Sequence, residues 1–265
     1  MANQDLVNTA LEVLREPNIW KINFQLNSLL VTGHRFSMVA RAIEQGSISI
    51  KKADLNSATP SQRDADRKLT AAQYRDDHTI YVPHTGYGQA ANDTPIEKNK
   101  AAHEKSVIIH EATHAMFDLF APSKDYRTLI VHDETSAILA QAFYIKLGDH
   151  QDAKHDFIRR IDGSGDHALN LVENVVNEPG YSPNSTYIFK DSLRLQQLQN
   201  AVRSDYDLVV KTDKNGFISD SRNAQYIYNG VKCSRCWSGG DKFNPYDQGQ
   251  GVSAGSSLRS GTQIN

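Results

Sequence analysis

Five consecutive residues, His110-Glu111-Ala112-Thr113-His114, carry the strongest chemical signal in the chain. Histidines four positions apart project from one side of a helix, so both imidazoles can grip a single ion. Zinc accepts imidazole nitrogen, and a catalytic zinc site uses three protein ligands plus a water. The glutamate after the first histidine points beside the metal, not at it. From there Glu111 can take a proton from the water held by zinc, whose pKa the ion lowers to about 7. The flanks suit a buried metal helix. Val107-Ile108-Ile109 precede the motif and Ala115-Met116 follow it, so Glu111 carries the one charge in this stretch. An unpaired charge facing a core would be costly. The bland alternative, histidines that are ordinary core or surface residues, suits a lone histidine better than this set.

The elements that must position these residues are readable in outline. Leu6, Ala10, Val13 and Leu14 share a helical face within residues 5–15, and Pro17 follows their stop. A second helix is expected from Ser37 to Gln45, punctuated by Gly46. Residues 51–77 are polar with mixed charge and read as a solvated segment. Thr79-Ile80-Tyr81-Val82 reads as a strand ending at Pro83, and an edge strand is expected because proline cannot continue a ladder. Thr94-Pro95-Ile96-Glu97 is a helix start with a capping residue, a first-turn proline and a capping-box acid. That helix should run to Phe120, before Pro122, with a break near Asn99. Another is expected from about His132 to Leu147, with Gly148 as its cap. Residues 151–210 look mainly helical, interrupted at 178–183. The segment from Phe217 to Val231 is mixed, with a hairpin expected around Asn229-Gly230. From Ser238 the chain is rich in Gly, Ser, Gln and Asn, which predicts a flexible tail.

The stretch from Val107 to Met116 resembles the active helix of the zincin metallopeptidases. Metzincins continue H-E-x-x-H-x-x-G-x-x-H, but Phe117 and Phe120 stand where that glycine and histidine would be. The resemblance is therefore to the gluzincins, the thermolysin-like group, which supply a glutamate from a second helix about twenty residues on. It implies Glu134 as the third metal ligand beside His110 and His114, with Asp133, His132 and Asp125 as rivals. It implies an α+β, zincin-like fold, mostly helical, with a small sheet above the active-site helix. Thr79–Val82 would be the strand at the cleft rim, against which an extended substrate adds. It implies one zinc ion and a hydrolase that cleaves peptide bonds, with Glu111 as the catalytic base. The resemblance covers about residues 75–150. Two positions depart from it: Ile138 stands where the group carries an aspartate that orients the first histidine, and no residue is assigned to stabilise the oxyanion, Tyr126, His150, His155 and His167 being the options.

Bulk properties bound the rest. The 265 residues are 39% hydrophobic and 23% charged, ordinary globular usage, with a formal net charge of −2. The scattered basic residues disfavour nucleic acid as a partner, and a peptide or protein substrate is expected instead. No apolar stretch approaches the roughly 20 residues that span a bilayer. The N-terminus lacks the pattern of a secretory signal, so cytoplasmic location is the default and signal-independent export stays compatible. Residues 1–75 read as an N-terminal region packing on a core of 76–235, with 236–265 as tail. Cys233 and Cys236, spaced C-x-x-C, read as reduced bystanders or a local bridge, less readily as a second metal site. Two rival functions are kept: a catalytically degenerate zincin-fold binding module, and a toxin or effector protease with one target protein.

Overall fold

A helix that is apolar on every side must be buried on every side, and the chain builds its centre from two of these. The computed structural model describes residues 2–53, 72–82, 95–148, 163–212 and 218–233. Helices account for about half of these residues, and the remainder includes several small sheets, an α+β architecture. The long helix Pro95–Leu119 carries the histidine motif, and the helix Ile130–Leu147 packs against it. From Ser106 to Leu119 every side chain of the first is buried, and from Asp133 to Ile145 every side chain of the second. Buried polar groups there find partners within the pair: Gln141 Nε2 donates to Ser106 Oγ at 2.9 Å, and Thr113 Oγ1 donates to its own helix at Ile109 O.

In chain order the remaining elements are α1 (Ala2–Leu14), β1 (Asn23–Leu26), β2 (Leu29–Thr32), α2 (Gly33–Glu44), β3 (Ser49–Lys52), β4 (Gln73–Arg75) and β5 (Thr79–Val82). The motif helix is α3. Then come β6 (Tyr126–Leu129), the second central helix as α4, α5 (Ser164–Val176), β7 (Tyr187–Phe189), α6 (Leu193–Asp205), β8 (Val210–Thr212), β9 (Ile218–Asp220) and β10 (Gln225–Tyr228). The strands form the sheets β2-β1-β7, β10-β6, β3-β5-β4 and β8-β9. Strand β7 joins β1 in parallel, Phe24 opposite Tyr187, while β1 and β2 form a hairpin around Asn27 in a left-handed conformation. Phe24 stacks on Phe143 of α4 at 5.2 Å and meets the edge of Phe189 at 5.6 Å, which seats this sheet on the central helices.

The N-terminal helices share the same apolar core, from Leu6 through Phe36 to Ile145 and Cys233. Glu16 ties them down with charge-assisted bonds, accepting from Lys105 Nζ at 3.0 Å and Tyr144 Oη at 2.8 Å. Helix α2 begins at Gly33, four residues before the expected start. Thr32 caps it by accepting from Arg35 N, and Gly33 is required because a Cβ there would meet Trp20 Cα at 2.4 Å. Gly46 ends the helix with φ 71°, as expected, in a paired closing of Gly46 N on Ile43 O and Ser47 N on Ala42 O.

Several expectations need correcting. The motif helix has no break at Asn99, where the backbone stays helical. Thr79–Val82 is the middle strand of its sheet, paired with β3 on one side and β4 on the other, because Thr79, Ile80 and Val82 are all buried. Residues 51–77 are not uniformly solvated: Ala53 is buried and Gln73–Arg75 forms the edge strand β4. Residues 178–210 include the strand β7 where helix was expected, and β10 pairs with β6, not across a hairpin at Asn229-Gly230. The tail, Thr94, Pro83 and residues 151–162 lie outside the described residues. Cys233 is buried and disulfide-bonded, whereas its C-x-x-C mate Cys236 lies outside them.

Candidate metal centre

Three side chains converge between α3 and α4. One ligand atom each from His110, His114 and Glu134 lies within 4.8 Å of the others, and all three residues are buried. Glu134 Oε2 sits 3.2 Å from His110 Nε2 and 3.5 Å from His114 Nε2. The two imidazoles lie 5.0 Å apart at 72° between planes, turned to a common point as spacing on α3 requires. Helical geometry also separates the rivals for the third place. Consecutive residues on a helix point about 100° apart, so Asp133 and Glu134 cannot both face the imidazole pair from one side. Glu134 takes the face between the Nε2 atoms. Asp133 reaches His114 from behind, its Oδ1 in a short hydrogen bond with Nδ1. That contact fixes the tautomer with the proton on Nδ1 and leaves the Nε2 lone pair for a cation.

The carboxylates are held by a layer of phenols. Strand β10 runs antiparallel to β6, which leads straight into α4. Alternate residues of a strand share a face, so Tyr226 and Tyr228 both reach the start of α4. Tyr226 Oη donates to Glu134 Oε1 at 2.7 Å, and Tyr228 Oη donates to Asp133 Oδ2 at 2.5 Å. Tyr206, at the end of α6, completes the layer: its phenol end is turned in beside Glu134, although the residue as a whole is 37% exposed. Burial pushes all three phenols above their ordinary pKa, reinforced by Glu134 at Tyr206 and Tyr226 and by Asp133 at Tyr228. They stay protonated and act as donors. On the other flank, Glu111 Oε2 accepts from Tyr74 N at 2.7 Å.

Charge decides what the cluster needs. Burial pushes the Glu134 carboxyl upward, yet His114 and His110 outweigh it and hold it well below the usual carboxylate range. Burial lowers His114, but Glu134 and Asp133 outweigh it and raise it well above its usual value. Burial raises Asp133 in spite of His114 and Tyr228. The buried Glu134 carboxylate therefore relies on positive charge close by, and a divalent cation between the Nε2 atoms would supply it directly. Glu134 Oε2 is buried and accepts no hydrogen bond among the described residues, although it lies at the point where both Nε2 atoms meet. An orphaned oxygen between two imidazole nitrogens is a fitting seat for a metal ion, so the group could hold one.

The expected residues His110, His114 and Glu134 are brought together, and Glu111 lies beside them. Of the options for an oxyanion donor, Tyr126 points to Ser28 with its Oη at 3.3 Å, and His150 and His155 lie outside the described residues. His167 lies in the first turn of α5. Sequence reading missed Tyr74, Tyr206, Tyr226 and Tyr228. The Tyr-x-Tyr alternation of 226–228 was the available signal for a strand with one phenolic face. Asp133 is corrected from rival ligand to partner of His114, and it takes for the second histidine the orienting part that Ile138 cannot take for the first. His132 is half-buried, and its environment is Arg203 and burial, which lower its pKa. Asp125 sits in a left-handed turn before β6. Among the described residues no helix is long and apolar enough to cross a membrane. No family model matches the chain, no curated protein matches it, and no solved structure matches its fold.

Proposed function

We propose that this chain is a zinc-dependent peptidase of the gluzincin type, with a zincin-like active helix in α3 and Glu134 of α4 as third ligand. The observation that carries the reading is the convergence of the buried Glu134 Oε2, which has no well-aligned hydrogen-bond donor among the described residues, on two imidazole Nε2 atoms at 3.2 and 3.5 Å. Two imidazoles and one carboxylate are the donor set of catalytic zinc, which leaves a position open for water or substrate. When bound, zinc polarises water and the carbonyl of the scissile bond.

Everything else falls to the chain's own groups. Glu111 takes a proton from the attacking water and delivers it to the departing amine. Tyr74 N–H occupies one of its oxygens, Oε2, and leaves Oε1 for that transfer. Tyr206, protonated and partly exposed beside Glu134 and Glu111, is the phenol placed to donate to the carbonyl oxygen as charge builds there. Tyr206→Phe should lower kcat about 10²-fold with KM nearly unchanged, measured by steady-state cleavage of a peptide. Asp133 sets the His114 tautomer, so Asp133→Ala should weaken zinc about 10- to 100-fold, read by competition with a chromophoric chelator.

The overall test combines metal analysis with turnover. Purified protein should carry about one zinc per chain, cleave members of a peptide library, lose cleavage on chelation and regain it with zinc. A binding module without chemistry is the second reading, favoured by the buried Ile138, which stands where the gluzincins carry the aspartate that orients the first histidine. Zinc-dependent stabilisation with no cleavage of any peptide would select that reading.

A further inference from the structure

Asp118 lies on α3 one turn beyond His114, too far along the helix to be a ligand, and it is 2% exposed. A buried carboxylate needs partners, and this one has them on two sides of the metal centre. Its Oδ2 accepts from Tyr74 Oη at 2.7 Å and pairs with His78 Nδ1 at 2.8 Å. Its Oδ1 accepts from Gly230 N at 2.8 Å. The two sets of partners belong to different walls.

Tyr74 and His78 stand on β4 and in the tight turn to β5, where His78 has a left-handed φ of 57°. The same Tyr74 gives its backbone N–H to Glu111. Gly230 follows β10, whose Tyr226 and Tyr228 hold Glu134 and Asp133. Strand β4 is three residues long, and β10 is four. Neither ladder is long enough to fix its strand against α3 unaided.

We infer that Asp118 is a positioning residue that fixes both walls of the metal centre to the helix bearing His110, Glu111 and His114. Through Tyr74 it sets the orientation of Glu111; through Gly230 it sets the phenols that hold Glu134 and Asp133. The inference rests on the metallopeptidase reading for the first path only. The second concerns metal affinity, whether or not the chain cleaves anything.

Substitution separates the two paths. In Asp118→Asn the side-chain carbonyl can still accept from Gly230 N–H, while the amide nitrogen cannot accept from Tyr74 Oη. Asp118→Ala removes all three contacts, with Tyr74, His78 and Gly230, and Tyr74→Phe removes the Tyr74 contact while leaving the other two. Zinc affinity is measured by chelator competition on the full chain, and kcat and KM on a peptide the wild type cleaves. Tyr74→Phe and Asp118→Asn should keep zinc affinity within about twofold and share a fall in kcat of about tenfold at unchanged KM. Asp118→Ala should weaken zinc about tenfold as well. A merely structural Asp118 would lower thermal stability in all three variants and leave affinity and kcat of the folded protein alone.

Wild-type zinc affinity in folded Asp118→Ala overturns the inference. So does wild-type kcat in Tyr74→Phe, even where the Asp118 variants fail to fold. A wild type that binds zinc and cleaves no peptide sinks the peptidase reading, and the Asp118→Ala affinity then decides this inference by itself.

Discussion

Glu111→Gln should bind zinc like the wild type, at about one ion per chain, and lose cleavage about 10³- to 10⁴-fold. The amide keeps the size of the side chain and an oxygen for Tyr74 N–H, so the bond at 2.7 Å survives and the fold with it. What it cannot do is take up a proton at neutral pH. The loss belongs in kcat, because a group that acts only as the reaction proceeds contributes little to binding the peptide beforehand. Metal analysis and steady-state kinetics on one preparation separate the outcomes. Zinc-replete Glu111→Gln that still turns over at the wild-type rate removes the general base from the proposal.

Glu134→Ala has the second large effect. Zinc should fall from about one ion per chain to near none after dialysis, since two imidazoles alone make a poor site. Activity should go with it. The truncation also strips Tyr226 Oη of its acceptor at 2.7 Å, and an unpartnered buried hydroxyl costs about 1–3 kcal/mol. Loss of zinc could then be blamed on a loosened fold. Glu134→Gln answers that objection: its carbonyl oxygen still accepts from Tyr226, but the negative charge between the imidazoles is gone. Zinc should fall in both variants, while the thermal midpoint without metal should fall further in Glu134→Ala. His110→Ala and His114→Ala should lose zinc similarly. Full zinc occupancy in Glu134→Gln and Glu134→Ala would show that the ion sits elsewhere.

The parts of this centre that sequence reading reached are the parts whose causes are local. Helices α3 and α4 announce themselves through Pro95, Pro122 and Gly148 and through long apolar runs, and a spacing of four along one helix is a geometric statement about His110 and His114. Glu134 follows from resemblance and helical phase. Asp133 shows the limit: adjacency to Glu134 made it look like a competitor, and only the position of α3 relative to α4 shows that it reaches His114 Nδ1 from behind. Tyr74 was hidden in a polar segment because a three-residue edge strand has too few positions to display alternation. Its bond to Glu111 spans 37 positions of chain and uses a backbone N–H, a group every residue but proline has. Tyr226 and Tyr228 alternate visibly, but their strand pairs with β6 far upstream, and no local turn signal points there. Thr79–Val82 was placed at an edge on the strength of Pro83, whereas all four of its residues pair with β3 and Thr79 to Tyr81 pair with β4 as well.

The pairing of β1 with β7 bears on how the chain reaches this state during synthesis. Strand β1 leaves the ribosome well before its parallel neighbour Tyr187–Phe189, which is made only after both central helices. Parallel pairing across such a separation closes slowly, because a long loop must be restrained before any ladder bond forms. Until then the nascent chain presents the open side of β1, with Phe24 and Phe143 lacking the Phe189 ring that packs on them. An unpaired strand edge beside apolar surface is a template for self-association. Chains stalled or truncated between α4 and β7 should therefore be prone to aggregate, and adding the missing strand in trans as a separate peptide should restore their solubility.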